Sequence, residues 1–225
     1  MSKSEAHRRY KLIDGTIIPG VTTITGSQIA WSKQVLINWA NRMGLKGIDS
    51  NKYKDDKADI GTLAHSMVTD WLLGIKADTS DYSKNQIKAS ENSALSFFEW
   101  TKNKKIKPIL IETPLVSEKY KFGGKADIYA AIDGDLELID LKTGKGIYEE
   151  MIVQVATYGE LLIENGHPIE VIRILNIPRT EDETFVERVI GKKQREIAWK
   201  IFRNCLSNYQ PVSYTHLTLP TILLV

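Results

Sequence analysis

The segment LELIDLKTGKG, residues 136–146, carries Asp140 and Lys142 on a run rich in Leu and Ile. Side chains two apart on a strand share a face, so a carboxylate and an ammonium stand side by side in a segment patterned for burial. Taking charge out of water is costly unless something compensates it. Upstream, KADIYAAI (125–132) is separated from LELIDLK (136–142) by Asp133-Gly134, a hairpin signal. A two- or four-residue loop brings Asp127 opposite Asp140, and a three-residue loop breaks that register. Opposed carboxylates raise one another's pKa unless a cation lies between them.

Mg²⁺ or Mn²⁺ is the natural occupant, because hard cations take oxygen ligands and keep positions open for a phosphate. Such an ion with Lys142 beside it suits phosphodiester hydrolysis: the ion holds the phosphate, and the lysine positions or deprotonates water or offsets growing negative charge. On the residues alone a second reading stays open, in which Asp127, Asp140 and Lys142 form a structural ion-pair cluster at a strand end.

Other residues have two readings each. His65, among Ala64, Val68 and Trp71, is a hydrogen-bonded core histidine or a neutral imidazole ligand. Glu112, close before Pro114, faces solvent or joins the acids. Gln154 and Tyr158, four apart on a helix, share one face. Tyr158 then joins Met151, Val155 and Leu162 in a core stripe, or the pair points at the acids. Lys145 in KTGKG is not a Walker lysine, since Ile139 and Gly146 stand where Gly and Ser or Thr are required. There is no G-x-S-x-G and no H-E-x-x-H. The lysine runs KNKKIK and GKKQR are solvated faces or a path for a DNA backbone.

These residues need an α/β scaffold to hold them. YKLIDGTIIPGVTTIT, residues 10–25, reads as two β-rich runs around Asp14-Gly15, an N-terminal hairpin with a two-residue turn. Residues 27–43 show helical spacing, and 45–61 read as a polar mobile loop. A helix over 61–74 starts at Thr62 as N-cap and stops at Gly74, and another spans 84–104. Strands follow near 108–116, 125–132 and 136–142, then a helix over 148–165, two more strands and a closing helix over 192–209. The order predicts a mixed central β-sheet flanked by helices. The stretch 211–225 contains no Asp, Glu, Lys or Arg; it resembles translated sequencing-adaptor sequence, and an apolar C-terminal strand is the equal alternative.

With 225 residues, 42% hydrophobic and 26% charged, the chain has a globular composition, and its net charge of +2 neither requires nor excludes nucleic acid. Cys205 is the single cysteine, so an internal disulfide and a cysteine-built zinc or iron–sulfur site within one chain are ruled out. No segment has the apolar length of a membrane helix and the start lacks a signal-peptide core, so a cytoplasmic protein is expected.

The spacing of Asp127 and Asp140-Leu141-Lys142 resembles the signature of the PD-(D/E)XK nuclease superfamily. GTLAH, GGKAD, LIDLKTGK and QVATYGELL in that order, with the N-terminal YKLIDGTIIPGVTTIT and NWA, resemble its RecB-like branch and phage-type exonucleases. The resemblance covers about residues 10–205. It implies a restriction-endonuclease-like core within a single domain, 1–210, comprising hairpin and helices over 10–104 and a catalytic core over 105–210. It further implies metal binding by Asp127, Asp140, the Leu141 carbonyl, His65 and Glu112, catalysis by Lys142, and a contribution from Gln154 and Tyr158. Three departures stand out. The first acid follows Lys-Ala rather than Pro, Asp140 replaces a frequent Glu, and the cysteines of cluster-bearing relatives are absent, so no iron–sulfur cluster is expected. The implied function is a Mg²⁺- or Mn²⁺-dependent DNA exonuclease of phage-type recombination, repair or end processing in a bacterial or phage-infected cell. An endonuclease of the same fold and an inactive DNA-binding module are the alternatives. A recombinase, annealing protein or helicase would be its partner, with oligomerisation and no membrane.

Overall fold

The computed structural model describes residues 10–218, with side chains through Tyr209. Two short strands, β1 (Tyr10–Lys11) and β2 (Ile17–Ile18), form the N-terminal antiparallel hairpin. Its loop holds three residues rather than two. Leu12 N–H donates to Thr16 O at 2.9 Å, and Gly15 turns the chain at φ 84°, the geometry of a left-handed residue closing a three-residue hairpin. The second β-rich run stops early, because VTTIT opens helix α1 (Val21–Gln28). Val21 and Ile24 reach the core there, and Thr25 Oγ1 donates back to Val21 O at 3.0 Å. Tertiary burial overrides the β-propensity of these residues.

Helix α2 (Lys33–Leu45) follows, then α3 (Ser50–Leu72). The expected polar loop over 45–61 is thus mostly helix. Asp49 caps α3 by accepting from the N–H groups of Asn51 and Lys52 at 2.9 and 3.2 Å, which displaces the start from Thr62. Thr62 instead lies inside α3 and donates to Ala58 O. The stop is as expected: Gly74 at φ 71° donates to Trp71 O while Ile75 N–H reaches Asp70 O, a Schellman ending. α4 (Lys84–Thr101) begins at a Ser83–Gln86 capping box and is tied to α3 by Ser90 Oγ, which donates to Ile60 O at 2.9 Å.

The central sheet is five-stranded: β3 (Ile106–Ser117), β4 (Phe122–Ile132), β5 (Asp135–Lys142), β6 (Val171–Asn176) and β7 (Val186–Ile190), in that spatial order. Only the β5–β6 pair is parallel, joined by helix α5 (Glu149–Glu164), so the sheet is mixed. The β4–β5 loop is the two-residue turn Asp133-Gly134, both at positive φ, and Ile132 pairs with Asp135. Helix α6 runs Lys192–Thr218. It continues past the expected end at 209, so residues 211–218 are helical rather than a strand, and the rest of the apolar tail lies outside the described residues.

Helices cover both faces of the sheet. On one, α1, α5 and α6 bury Ile24, Leu138, Val155 and Phe202; on the other, α3 and α4 bury Val68, Phe97, Ile128 and Ile139. This is an α/β fold with a mixed central sheet flanked by helices. No helix among the described residues is long and apolar enough to cross a membrane.

Candidate metal and catalytic site

The β4–β5 ladder runs from Ile132↔Asp135 to Ile128↔Ile139 and then stops. Continued by one step, the register places Asp127 opposite Asp140, as the hairpin argument requires. The strands do not pair there. Asp127 Oδ2 instead accepts from the Leu141 N–H at 2.8 Å, so a side chain takes the place of the ladder bond. On the other side of Asp127, β3 is distorted: Ile111 pairs with Ile128 and Thr113 with Ala126, while Glu112 between them sits at φ 49°. A left-handed residue other than glycine inside a strand stores backbone strain, and such strain persists only where the surroundings enforce it. Glu112, Asp127 and Asp140 therefore come from three adjacent strands at one level of the sheet.

Helix α3 supplies the fourth group. His65 Nδ1 lies 3.5 Å from Asp127 Oδ2. His65, Glu112 and Asp127 each offer a ligand atom, and these atoms lie within 4.8 Å of one another. The GTLAH glycine explains how α3 comes so close: a Cβ on Gly61 would stand 2.7 Å from Thr143 Oγ1, immediately after Lys142. Lys142 Nζ is 2.5 Å from Asp140 Oδ2, and Lys125 is ion-paired with Glu112.

Gln154 Nε2 donates to the Tyr158 hydroxyl at 2.7 Å, so the shared helix face is real. Tyr158 belongs both to the core and to this region. Its ring packs with Val155 and Leu162, and a Cβ on Gly124 would meet Tyr158 Cε1 at 2.7 Å.

The electrostatics follow from burial. Desolvation pushes the Asp140 carboxyl up to about 6, with the Asp127 charge adding to it and Lys142 opposing. Glu112 is also raised, by burial and then by Asp127. Burial works the same way on Asp127, but His65, Lys142 and the Leu141 N–H outweigh it and hold that carboxyl below its ordinary value. His65 and Lys142 lose by burial and gain more from the acids, so both are raised. Burial, reinforced by Asp140, lifts the Tyr158 hydroxyl well above its usual value.

The donor set fits a divalent ion. Glu112 Oε2 and Asp140 Oδ2 are buried and receive no well-aligned hydrogen bond, although Lys125 and Lys142 stand close as ion contacts. A hard cation would complete the compensation that those two ammoniums begin. Leu141 enters through its amide, and its carbonyl remains a proposed ligand.

Three participants were not foreseen from sequence. Lys125, two residues before Asp127, could have been singled out from GGKAD as a same-face cation. The Glu112 backbone carries no sequence signal. Tyr10 is the third: its ring lies where a Cβ on Gly123 would be and 3.1 Å from where one on Gly20 would be, while Gly20 bridges to Gly123. The N-terminal hairpin is docked by that ring close to Tyr158, whose acidity its hydroxyl further suppresses.

No family model matches the sequence, and no protein of curated function does either. Among solved structures, the chain is similar to a Eubacterium rectale protein that bears a provisional exonuclease name, with TM-score 0.42 and 12% identity over 64% of this chain. The chain spans 63% of that protein's length, less than two thirds. It is also similar to an alkaline exonuclease from Laribacter hongkongensis, with TM-score 0.34 and 13% identity over 72% of this chain and 91% of that one. Likeness of this degree carries no functional argument.

Proposed function

We propose that the protein is a metal-dependent nuclease that hydrolyses DNA phosphodiester bonds, with Mg²⁺ or Mn²⁺ as cofactor, acting at DNA ends as an exonuclease. The observation that carries this reading is the trio of acids at one level of the sheet, Asp127 and Asp140 buried and Glu112 half-buried, beside the half-buried Lys142. The motif series from GTLAH to QVATYGELL supports the same class, and the preference for ends comes from that series alone.

In this reading Glu112, Asp127, Asp140, the Leu141 carbonyl and His65 would hold the ion. When bound, it would supply Lewis acidity at a phosphate oxygen and charge to stabilise the displaced one. Asp127 stays ionised and is kept in place by the Leu141 N–H. Lys142 remains an ammonium because the acids around it raise its pKa. An ammonium there would orient the phosphate and offset charge growing on it. Tyr158 accepts from Gln154 and keeps its own proton, so the hydroxyl is a donor for a phosphate oxygen or for water.

Incubation of linear and circular DNA with Mg²⁺, Mn²⁺ or chelator, beside Asp140→Ala and Lys142→Ala, tests this. Loss of linear DNA alone, dependent on metal and on both residues, is the expected result. Nicked or linearised circles would make it an endonuclease, and binding without cutting would sink the enzymatic reading.

A further inference from the structure

Helix α2 carries Val35, Leu36, Ile37, Trp39, Met43 and Leu45 and yet has no buried residue. Val35 is 65% and Leu45 81% exposed, with Trp31, Leu36 and Ile37 more than half exposed. The apolar side of an amphipathic helix is ordinarily packed, and an exposed apolar surface of this kind marks a contact. Its charges are one-sided too. From Gly15 to Ile48 the chain contains no Asp or Glu, while Lys33, Arg42 and Lys46 supply three cations.

Its place in the fold is set by its neighbours. α1 begins beside Gly123 at the start of β4 and packs against α5 and α6. α3 lies on the opposite face: Val68 packs with Ile128, His65 faces Asp127, and Gly61 abuts Thr143 just past the end of β5. The start of β4 and the end of β5 lie at the same end of the sheet, because the two strands are antiparallel. Residues 50–61 of α3 continue beyond that end, by about 16 Å at the helical rise. α2 rests on this projection through Trp39 and Tyr53, whose ring centroids are 6.0 Å apart. It is thus the crossing element between the two helical layers, at the end of the sheet nearest the acids.

We infer that α2 is the docking surface for a single-stranded end of the nucleic acid, with phosphates on Lys33, Arg42 and Lys46 and bases on Trp31 and the aliphatic side chains around it. The choice of ligand class rests on the nuclease reading. α2 and its flanking residues from Gly15 to Ile48 carry three cations and no acid, which favours a polyanion along the helix itself. Aromatic and apolar groups take up bases only where those bases are unstacked, which a duplex does not offer.

The test uses fluorescence anisotropy of a labelled oligo-dT strand and of a duplex, in EDTA so that nothing is cut. Two variants of exposed residues are compared with wild type: Val35→Gln/Leu36→Gln/Leu45→Gln, and Lys33→Glu/Arg42→Glu/Lys46→Glu, with circular dichroism to confirm the fold. Each is expected to weaken single-strand binding about tenfold or more, and the charge reversal to flatten the log–log salt dependence by about two units, at about 0.7 per cation. Unchanged single-strand affinity in both variants overturns the inference. So does an apolar variant whose only change is a lower molar mass in light scattering, which would make α2 a contact between copies of this chain. Hydrolysis of bis(p-nitrophenyl) phosphate by the wild type with Mn²⁺ reports on the acids separately. If it is absent while the variants lose the strand, the docking surface stands and the nuclease reading falls.

Discussion

Glu137 and Asp140 stand three residues apart on β5, 4% and 1% exposed, on opposite faces of the sheet. Arg173 on the adjacent strand clasps Glu137 with Nε and Nη2 at 2.8 and 2.9 Å. The same guanidinium pairs with Glu187, to which Trp100 Nε1 donates at 3.2 Å. Every charge there has a partner of fitting shape, since a planar fork matches a carboxylate bidentately. Around Asp140 the arrangement is the reverse. Its cation is the compact ammonium of Lys142, one carboxylate oxygen lacks an aligned hydrogen bond, and two more acids crowd the same level of the sheet. Both clusters are buried charge, but only the first is complete within the chain. The second is the arrangement that the proposed ion would complete.

If that contrast is right, substitutions in the two clusters separate activity from stability. Lys142→Ala and Asp140→Asn are expected to lower DNA cleavage by about a thousandfold, read by gel digestion with Mn²⁺. Asp140→Asn should leave the melting temperature unchanged or raised, because it removes a desolvated charge. A variant that simply unfolds would erase the distinction. Arg173→Met should act the other way, costing about 3–5 kcal/mol in denaturant unfolding because it leaves Glu137 buried and unpaired. Cleavage per folded molecule should persist, and its loss at full stability would show the contrast to be false.

Acidity offers a finer probe. Because burial pushes Asp140 up to about 6, a proton occupies it below that pH and an incoming ion must displace it. Mn²⁺ affinity by calorimetry should therefore rise with pH by up to about tenfold per unit below that value and level off above it. An affinity flat from acid to neutral pH would remove Asp140 from the ligand set. The smallest effect is expected at Gly61→Ala. Alanine favours the helix by about 1 kcal/mol, while the new methyl presses on Thr143 Oγ1, so unfolding should change by less than about 1 kcal/mol. Cleavage should still fall several-fold, because the displaced residue adjoins Lys142; unchanged kinetics would mean that the close approach of α3 is only packing.

Much of the scaffold was legible because its signals are local. The Asp133-Gly134 turn, the β-rich runs of strands β3 to β5 and the Gly74 helix stop each rest on neighbouring residues. The failures share a different cause. VTTIT has β-propensity but becomes helix, because only there do Val21 and Ile24 meet α6 and β4. The start of α3 looks like loop because its first turns project into solvent and need no apolar stripe. Tyr10 and the Glu112 backbone conformation leave no local signal because each depends on a contact with another strand, whereas Lys125 leaves one in its two-residue spacing from Asp127 and only its pairing with Glu112 is non-local.

By itself the sequence narrowed the β4–β5 register, since a side-chain period of two sets Asp127 against Asp140 for a two- or four-residue loop and not for a three-residue one; the two-residue turn is what the structure supplied. It also determined which residue types could do chemistry. The tertiary structure alone decided how those charges are compensated. His65 reaches Asp127 only because Gly61 lets α3 close on Thr143, and Glu112 joins them only where β3 is strained. Charge compensation depends on distances between segments far apart in the chain, and local pattern carries no record of those distances.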